Sequence, residues 1–152
     1  MKKKAIIISI KGTTLTNKEK ILLSEEKPWG LILFKRNIIS ILQIRKLVKD
    51  IKKFSKDTKF PILIDEEGST VSRLNGIINH NFEANYFGKL YKLDKKIAII
   101  LYKNYLKALC NNLKNIGISI NTIPVLDVLR NNTNDIIGKR SFSKDKDVVR
   151  DL

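Results

Sequence analysis

Three consecutive acids, Asp65, Glu66 and Glu67, close the aliphatic run FPILI, and the stretch continues through Gly68 to Arg73 as FPILIDEEGSTVSRL. The chain holds 15 acidic residues in all, so three in a row at one strand end call for a reason. Side chains alternate faces along a strand. If the strand runs on, Asp65 and Glu67 share a face and Glu66 points the other way. Two carboxylates on one face suit the retaining-glycosidase pair, whose carboxyl groups lie about 5–5.5 Å apart. A ligand-binding role fits the spacing better than a catalytic pair. Glu66 or Glu67 reads equally as a partner for lysines or a cap on the next turn. Gly68 reads as the residue of a tight turn. Arg73 reads as returning toward Asp65, to bind substrate or to form a salt bridge.

Further charges fall at the ends of other apolar runs. KRN (Lys35–Asn37) follows GLILF, where a loop salt bridge is the expected role. Asp127 ends ISINTIPVLDV, and GKRS with Arg140 follows it. In parallel α/β architectures ligands bind at the C-terminal ends of strands. These positions are therefore site candidates.

The elements that position them alternate. Strands are expected over Ala5–Ile10, Gly30–Phe34, Pro61–Asp65 and Ile118–Val128. Thr16 and Glu19 form a capping-box pattern that opens a short helix through Leu23, ahead of Pro28. Ser40 and Gln43 form another, and Ile41, Ile44, Leu47, Val48, Ile51 and Phe54 recur at helical spacing behind it. A long helix is expected from about Asp94 to Asn115, with Ile97, Leu101, Tyr105, Ala108 and Leu109 on its apolar side and Gly117 as its stop. Cys110 reads as core on that side. The strands are continuous aliphatics, so both faces of a parallel sheet are expected to be buried. The fold class is α/β, and no G-x-G-x-x-G follows the first strand, which counts against a dinucleotide fold. A full (β/α)₈ barrel needs about 250 residues; 152 residues have room for about half of one.

Composition narrows the classes. Hydrophobic residues make up 43% of the chain, enough for a sizeable core. The longest apolar runs fall short of a membrane span, and MKKKAIIISIKGTT lacks a signal-peptide cleavage pattern. One cysteine forms no internal disulfide, and the expected compartment is the cytoplasm. The net charge of +15 raises a nucleic-acid reading. Lysine outnumbers arginine 24 to 6 along the whole chain, and isoleucine (24) and asparagine (14) are abundant too. All three have A/T-rich codons. With no arginine cluster, zinc spacing or glycine-rich RNA motif, the charge reads as a solvated surface.

Four blocks in order then carry a resemblance: PWGLILFKRNI (28–38), ILIDEEGSTVSRL (62–74), GISINTIPVLDV (117–128) and IIGKRSFSKD (136–145). Together they resemble the N-terminal domain of glycoside hydrolase family 3, and most of all the bacterial β-N-acetylhexosaminidases of peptidoglycan recycling. The resemblance implies a (β/α)₈ TIM-type barrel, of which residues 1–152 would be the N-terminal half. It implies about four parallel strands with crossover helices and a retaining release of terminal N-acetylglucosamine from muropeptides. It implies no cofactor and no metal. Substrate-binding residues fall on Asp65, Arg73 and Arg140, with Glu67 and Asp127 as weaker candidates. Carboxylates accept from paired hydroxyls, and guanidinium forks supply fixed donors. The family's K-H-F-P-G-H block, catalytic histidine and nucleophilic aspartate fall beyond the position matching Leu152, so no catalytic residue is expected within the chain. A complementary C-terminal fragment is the implied partner, besides the sugar; nucleic acid and membrane are not expected. A non-catalytic remnant is the alternative. Ser69 and Thr70 stand where the family has glycine and arginine, so backbone cost at Ser69 and weaker loop packing are expected. His80 is expected to be structural or exposed, and Trp29 to pack.

Overall fold

A computed structural model describes residues 3–80, 82–134 and 136–152. The chain divides into two compact units, residues 1–65 with 112–121 and residues 66–111 with 122–152.

The first unit holds a four-stranded parallel sheet in the order β1-β2-β3-β4. The strands are β1 (Lys4–Ile8), β2 (Pro28–Leu33), β3 (Ile62–Ile64) and β4 (Ile120–Asn121). Leu31, Ile32 and Leu33 pair with Ile62, Leu63 and Ile64. A doubly wound sheet reverses its strand order; this one steps in one direction, as the wall of a (β/α)₈ barrel does. Helix α1 (Asn17–Glu25) opens on the expected box, with the Thr16 hydroxyl and the Glu19 side chain each meeting the other's backbone N–H. Helix α2 (Ile41–Ser55) starts at Ser40, whose hydroxyl accepts from Gln43 N. The reciprocal half of that box is displaced: Gln43 Oε1 accepts from Ile39 N, and its Nε2 donates to Thr13 and Asn37 carbonyls. Ile44, Leu47, Val48 and Ile51 are buried along α2. At about 1.5–3 kcal/mol per buried side chain, that face outweighs the roughly 1 kcal/mol of a cap. Packing holds the helix, and Ser40 decides where it begins.

Burial of both sheet faces does not extend to β1. Ile6 and Ile7, on opposite faces of the strand, are 52% and 45% exposed, and among the described residues β1 has a strand neighbour on one side only. Trp29, expected to pack, is 41% exposed. The fourth strand is two residues long instead of reaching Val128. Its pairing stops at Ile64–Asn121 because β3 itself ends there.

The second unit holds α3 (Ala84–Leu93), most of α4 (Lys95–Ile116) and α5 (Lys146–Asp151). Helix α3 was not expected; its N-cap, Glu83, makes no side-chain capping bond, so the local signal for a start is missing. Asp94 does cap α4, accepting from Ile97 N at 2.9 Å. The buried face of α4 differs from the expected one. Ala98, Tyr102, Leu109, Leu113 and Ile116 are buried, while Ile97, Leu101, Ala108 and Cys110 are exposed. The apolar run Ile97–Leu101 offers more than one face at helical spacing, and packing chose the one carrying Tyr102. Gly117 stops α4 as expected, at φ +97°. The core of this unit is Phe87, Tyr102, Phe142 and Val149. Gly88 lets α3 lie on the backbone of Phe142, where a Cβ would come within 1.7 Å of the carbonyl oxygen.

The expected salt bridge in KRN is replaced, for Arg36 and Asn37, by bonds to backbone and hydroxyl oxygens. Asn37 is fully buried and its Nδ2 donates to the carbonyls of Ile10 (3.1 Å) and Gly12 (2.8 Å). Its Oδ1 accepts from Phe34 N. Arg36 donates to Ile10 O and Ser9 Oγ and lies over the Phe34 ring. These bonds tie the end of β2 to the loop after β1. Asn37→Ala removes three of them at once and is expected to destabilise the chain by about 3 kcal/mol, read from urea unfolding. At the exposed edge, β1 is expected to drive self-association. Ile6→Lys with Ile7→Lys is expected to lower it in sedimentation velocity, and a monodisperse unsubstituted monomer argues against an adhesive edge.

Candidate active site

The acids that follow β3 separate into three environments. Asp65 is half-buried at the end of the first unit. β3 ends at Ile64, so strand alternation does not carry through the acids and the shared face expected for Asp65 and Glu67 has no strand to define it.

Glu66 is fully buried. Its Oε2 accepts from the backbone N–H of Arg73 (2.8 Å) and Leu74 (2.9 Å). Its Oε1 accepts from Ser72 Oγ (2.5 Å) and meets His80 Nε2 at 2.5 Å. The other ring nitrogen, His80 Nδ1, lies 3.0 Å from the hydroxyl of Tyr105. A neutral imidazole satisfies the whole string. The Tyr105 hydroxyl donates to Nδ1, and Nε2–H donates to the Glu66 carboxylate. Burial pushes the Glu66 carboxyl up, but the bonds from His80, Ser72, Leu74 and Arg73 outweigh it and hold the pKa below the ordinary glutamate value. Burial, with the Glu66 and Glu83 carboxylates, pushes the Tyr105 phenol up to about 12. His80 is thus structural, as expected, and Glu66 caps the turn that carries Arg73.

Glu67 turns to a different partner. Arg140 donates to it twice, Nε to Oε2 at 2.7 Å and Nη2 to Oε1 at 2.9 Å. Such a fork fixes the guanidinium plane. Arg140 sits in a 3₁₀ turn, Gly138–Arg140. The next residue, Ser141, is buried and its hydroxyl donates to the backbone carbonyl of Asp127. The structure therefore brings Glu67 and Arg140 together and ties Asp127 to them through its backbone, while the Asp127 side chain is exposed. A cavity of about 10 Å³ beside the pair, lined by Glu67, Tyr105, Arg140 and Phe142 among others, is too small for a sugar ring. On that side the pair is a packed element of the unit.

The loop between the acids and Arg73 holds differently from expectation. Gly68 is needed for close approach, since a Cβ would come within 2.5 Å of Phe82 O; its φ is not left-handed. Ser69 is not left-handed either, so the expected backbone cost is absent. The hydroxyls of Ser69 and Thr70 both donate to Glu83. Loop packing is supplied by that carboxylate, a partner with no signal in the 65–74 stretch. Among the described residues, no group of three or more His, Cys, Asp or Glu is arranged to hold a metal. No helix among them is long and apolar enough to cross a membrane.

Residues 3–152 match the glycosyl hydrolase family 3 N-terminal domain. The chain belongs to this family. As a family 3 domain it is similar to the β-hexosaminidase of Xanthomonas campestris pv. campestris, strain B100, at 29% identity over 95% of this chain and 43% of that protein. It is also similar to that of Xylella fastidiosa, at 31% identity over 95% of this chain and 42% of that protein. Among solved structures, NagZ from Neisseria gonorrhoeae in complex with N-trifluoroacetyl-D-glucosamine superposes with a TM-score of 0.87. That match has 28% identity and covers 98% of this chain and 44% of the other. A family 3 β-N-acetylglucosaminidase from Paenibacillus superposes with a TM-score of 0.75 at 26% identity, over 96% of this chain and 27% of that one. The chain spans under half the length of the curated relatives it matches, and its α/β fold of four parallel strands and helices is part of the family's TIM-type barrel.

The lowered pKa of Glu66 sets an acid limit on stability. Its ionised form contributes fully above the ordinary glutamate value, and that contribution is lost as pH falls through the lower folded-state pKa. The melting temperature followed by circular dichroism is expected to fall over that acid window. Glu66→Gln is expected to be less stable at neutral pH and to show a shallower acid limb.

Proposed function

We propose that this chain supplies sugar-gripping residues of a retaining β-N-acetylhexosaminidase. Asp65 accepts hydrogen bonds from sugar hydroxyls, and Arg73 and Arg140 donate to sugar oxygens. Glu67 holds the Arg140 guanidinium in one plane by its two-point pair. The exposed Asp127 is the lesser contact. The observation that carries this reading is the likeness, over 98% of the chain, to NagZ in complex with an N-acylated glucosamine. The substrate class is a terminal N-acetylglucosamine on a peptidoglycan-derived muropeptide, handled in the cytoplasm.

Retaining hydrolysis needs a nucleophile and an acid/base in addition to a grip. Neither falls among the motif-matched residues of these 152. A complementary C-terminal segment supplies them, on the same chain or on another. The exposed edge of β1, with Ile6 and Ile7 half open to solvent, favours this reading over a self-sufficient remnant, because a barrel closes by pairing its first strand with its last.

The purified 152-residue chain is expected to bind N-acetylglucosamine, seen by saturation-transfer difference NMR, without hydrolysing a chromogenic N-acetylglucosaminide. Arg140→Ala is expected to weaken binding about tenfold or more, the range for a hydrogen bond to a charged group. Turnover by the chain alone sinks the division of labour; unchanged binding by Arg140→Ala removes Arg140 from the grip.

A further inference from the structure

Among the buried polar groups of the second unit, the string Glu66–His80–Tyr105 has no part in the grip just described. Its geometry gives it one. Arg73 is a sugar donor only if its backbone is held where the side chain can reach, and Glu66 Oε2 is the acceptor of its N–H, at 2.8 Å, and of Leu74 N at 2.9 Å. The carboxylate that does this is fully buried. A buried carboxylate cannot rotate freely among partners, because each donor lost leaves charge unsolvated. Its second oxygen is fixed by Ser72 Oγ and His80 Nε2, both at 2.5 Å. His80 is fixed in turn by the Tyr105 hydroxyl at 3.0 Å. Tyr105 packs on Phe87 and Tyr102, with ring centroids at 5.4 and 6.2 Å. The direction of the Arg73 backbone is thus referred, through three side chains, to the rigid aromatic core.

We infer that Glu66 is a positioning residue for the sugar grip, with His80 and Tyr105 orienting its carboxylate, so that the affinity of Arg73 for an N-acetylglucosamine oxygen is set by a buried group that never touches the sugar. The inference rests on the reading of Arg73 as a sugar contact. Neutral Glu66→Gln retains an acceptor oxygen for the two backbone N–H groups, and Glu66→Ala retains none.

The test uses the full chain and N-acetylglucosamine as probe, at a temperature well below the melting point of every variant. Amide hydrogen exchange of Arg73 and Leu74 is read alongside. Glu66→Ala is expected to weaken sugar binding about tenfold and to speed exchange at both amides. Glu66→Gln is expected to recover most of the affinity and the protection. His80→Ala is expected to fall between the two while lacking any sugar contact of its own. Full affinity in Glu66→Ala, with Arg73→Ala still defective, overturns the positioning role and leaves the sugar grip standing. Exchange at Arg73 and Leu74 that does not change in Glu66→Ala overturns the clamp whatever the sugar does. Equal losses in Glu66→Ala and Glu66→Gln also overturn it, since charge and not the acceptor would then be what matters. A wild-type chain that protects both amides but binds no sugar overturns the reading of Arg73 as a contact, and with it the functional role of the clamp.

Discussion

A carboxylate removed from water must be met by donors, and Glu66 is the place where this chain meets that demand. A serine hydroxyl, two backbone amides and an imidazole nitrogen are among the groups that converge on its two oxygens. Losing one would cost on the order of 1–3 kcal/mol, which makes the arrangement hard to vary. Much of the second unit follows from it. The turn to Leu74 is set by the two amides. His80 is drawn in by the carboxylate and Tyr105 by His80. Tyr105 belongs to the aromatic group around Phe87, Tyr102 and Phe142. Phe142 lies two residues past Arg140, and Gly88 admits its backbone against α3. The loop that carries Arg140 and the loop that carries Arg73 are in this way referred to one core.

Adjacent acids of one chemical type hold separate posts in this scheme. Glu66 is buried and acts on backbone; Glu67 acts on a guanidinium; Asp65 stands at the end of the sheet unit. The crowding of charge after β3 is explained by partner diversity rather than by a catalytic pair. The same logic accounts for Ser69 and Thr70. The hydroxyls of Ser69 and Thr70 both donate to Glu83, and that carboxylate anchors the loop.

For a family 3 glycosidase barrel, gripping the sugar and cleaving its bond are duties of residues from different strand ends. On the reading proposed above, the N-terminal segment described here carries charged groups for the first duty. Two of these groups are held within the chain: Glu67 pairs with Arg140 at two points, and Glu66 accepts from the Arg73 backbone N–H. β1 lies at the edge of the described sheet, with Ile6 and Ile7 exposed.

The amino-acid sequence by itself determined the features that rest on neighbours a few residues apart. The Thr16–Glu19 box, the Ser40 cap, the Asp94 start and Gly117 stop of α4, and three of the four strands lie where spacing places them. So does the polar end of β3, whereas Asp127, expected to end the fourth strand, lies six residues beyond β4. Tertiary structure decided what depends on partners far along the chain. The buried face of α4 was chosen by the aromatic core. Arg36 and Asn37 bond to residues more than twenty positions earlier, and Arg140 reaches Glu67 from 73 positions away. β4 is short because β3 gives it two partners. Glu66 was indistinguishable from its neighbours in sequence, since what sets it apart is burial, and burial is a property of the packed chain.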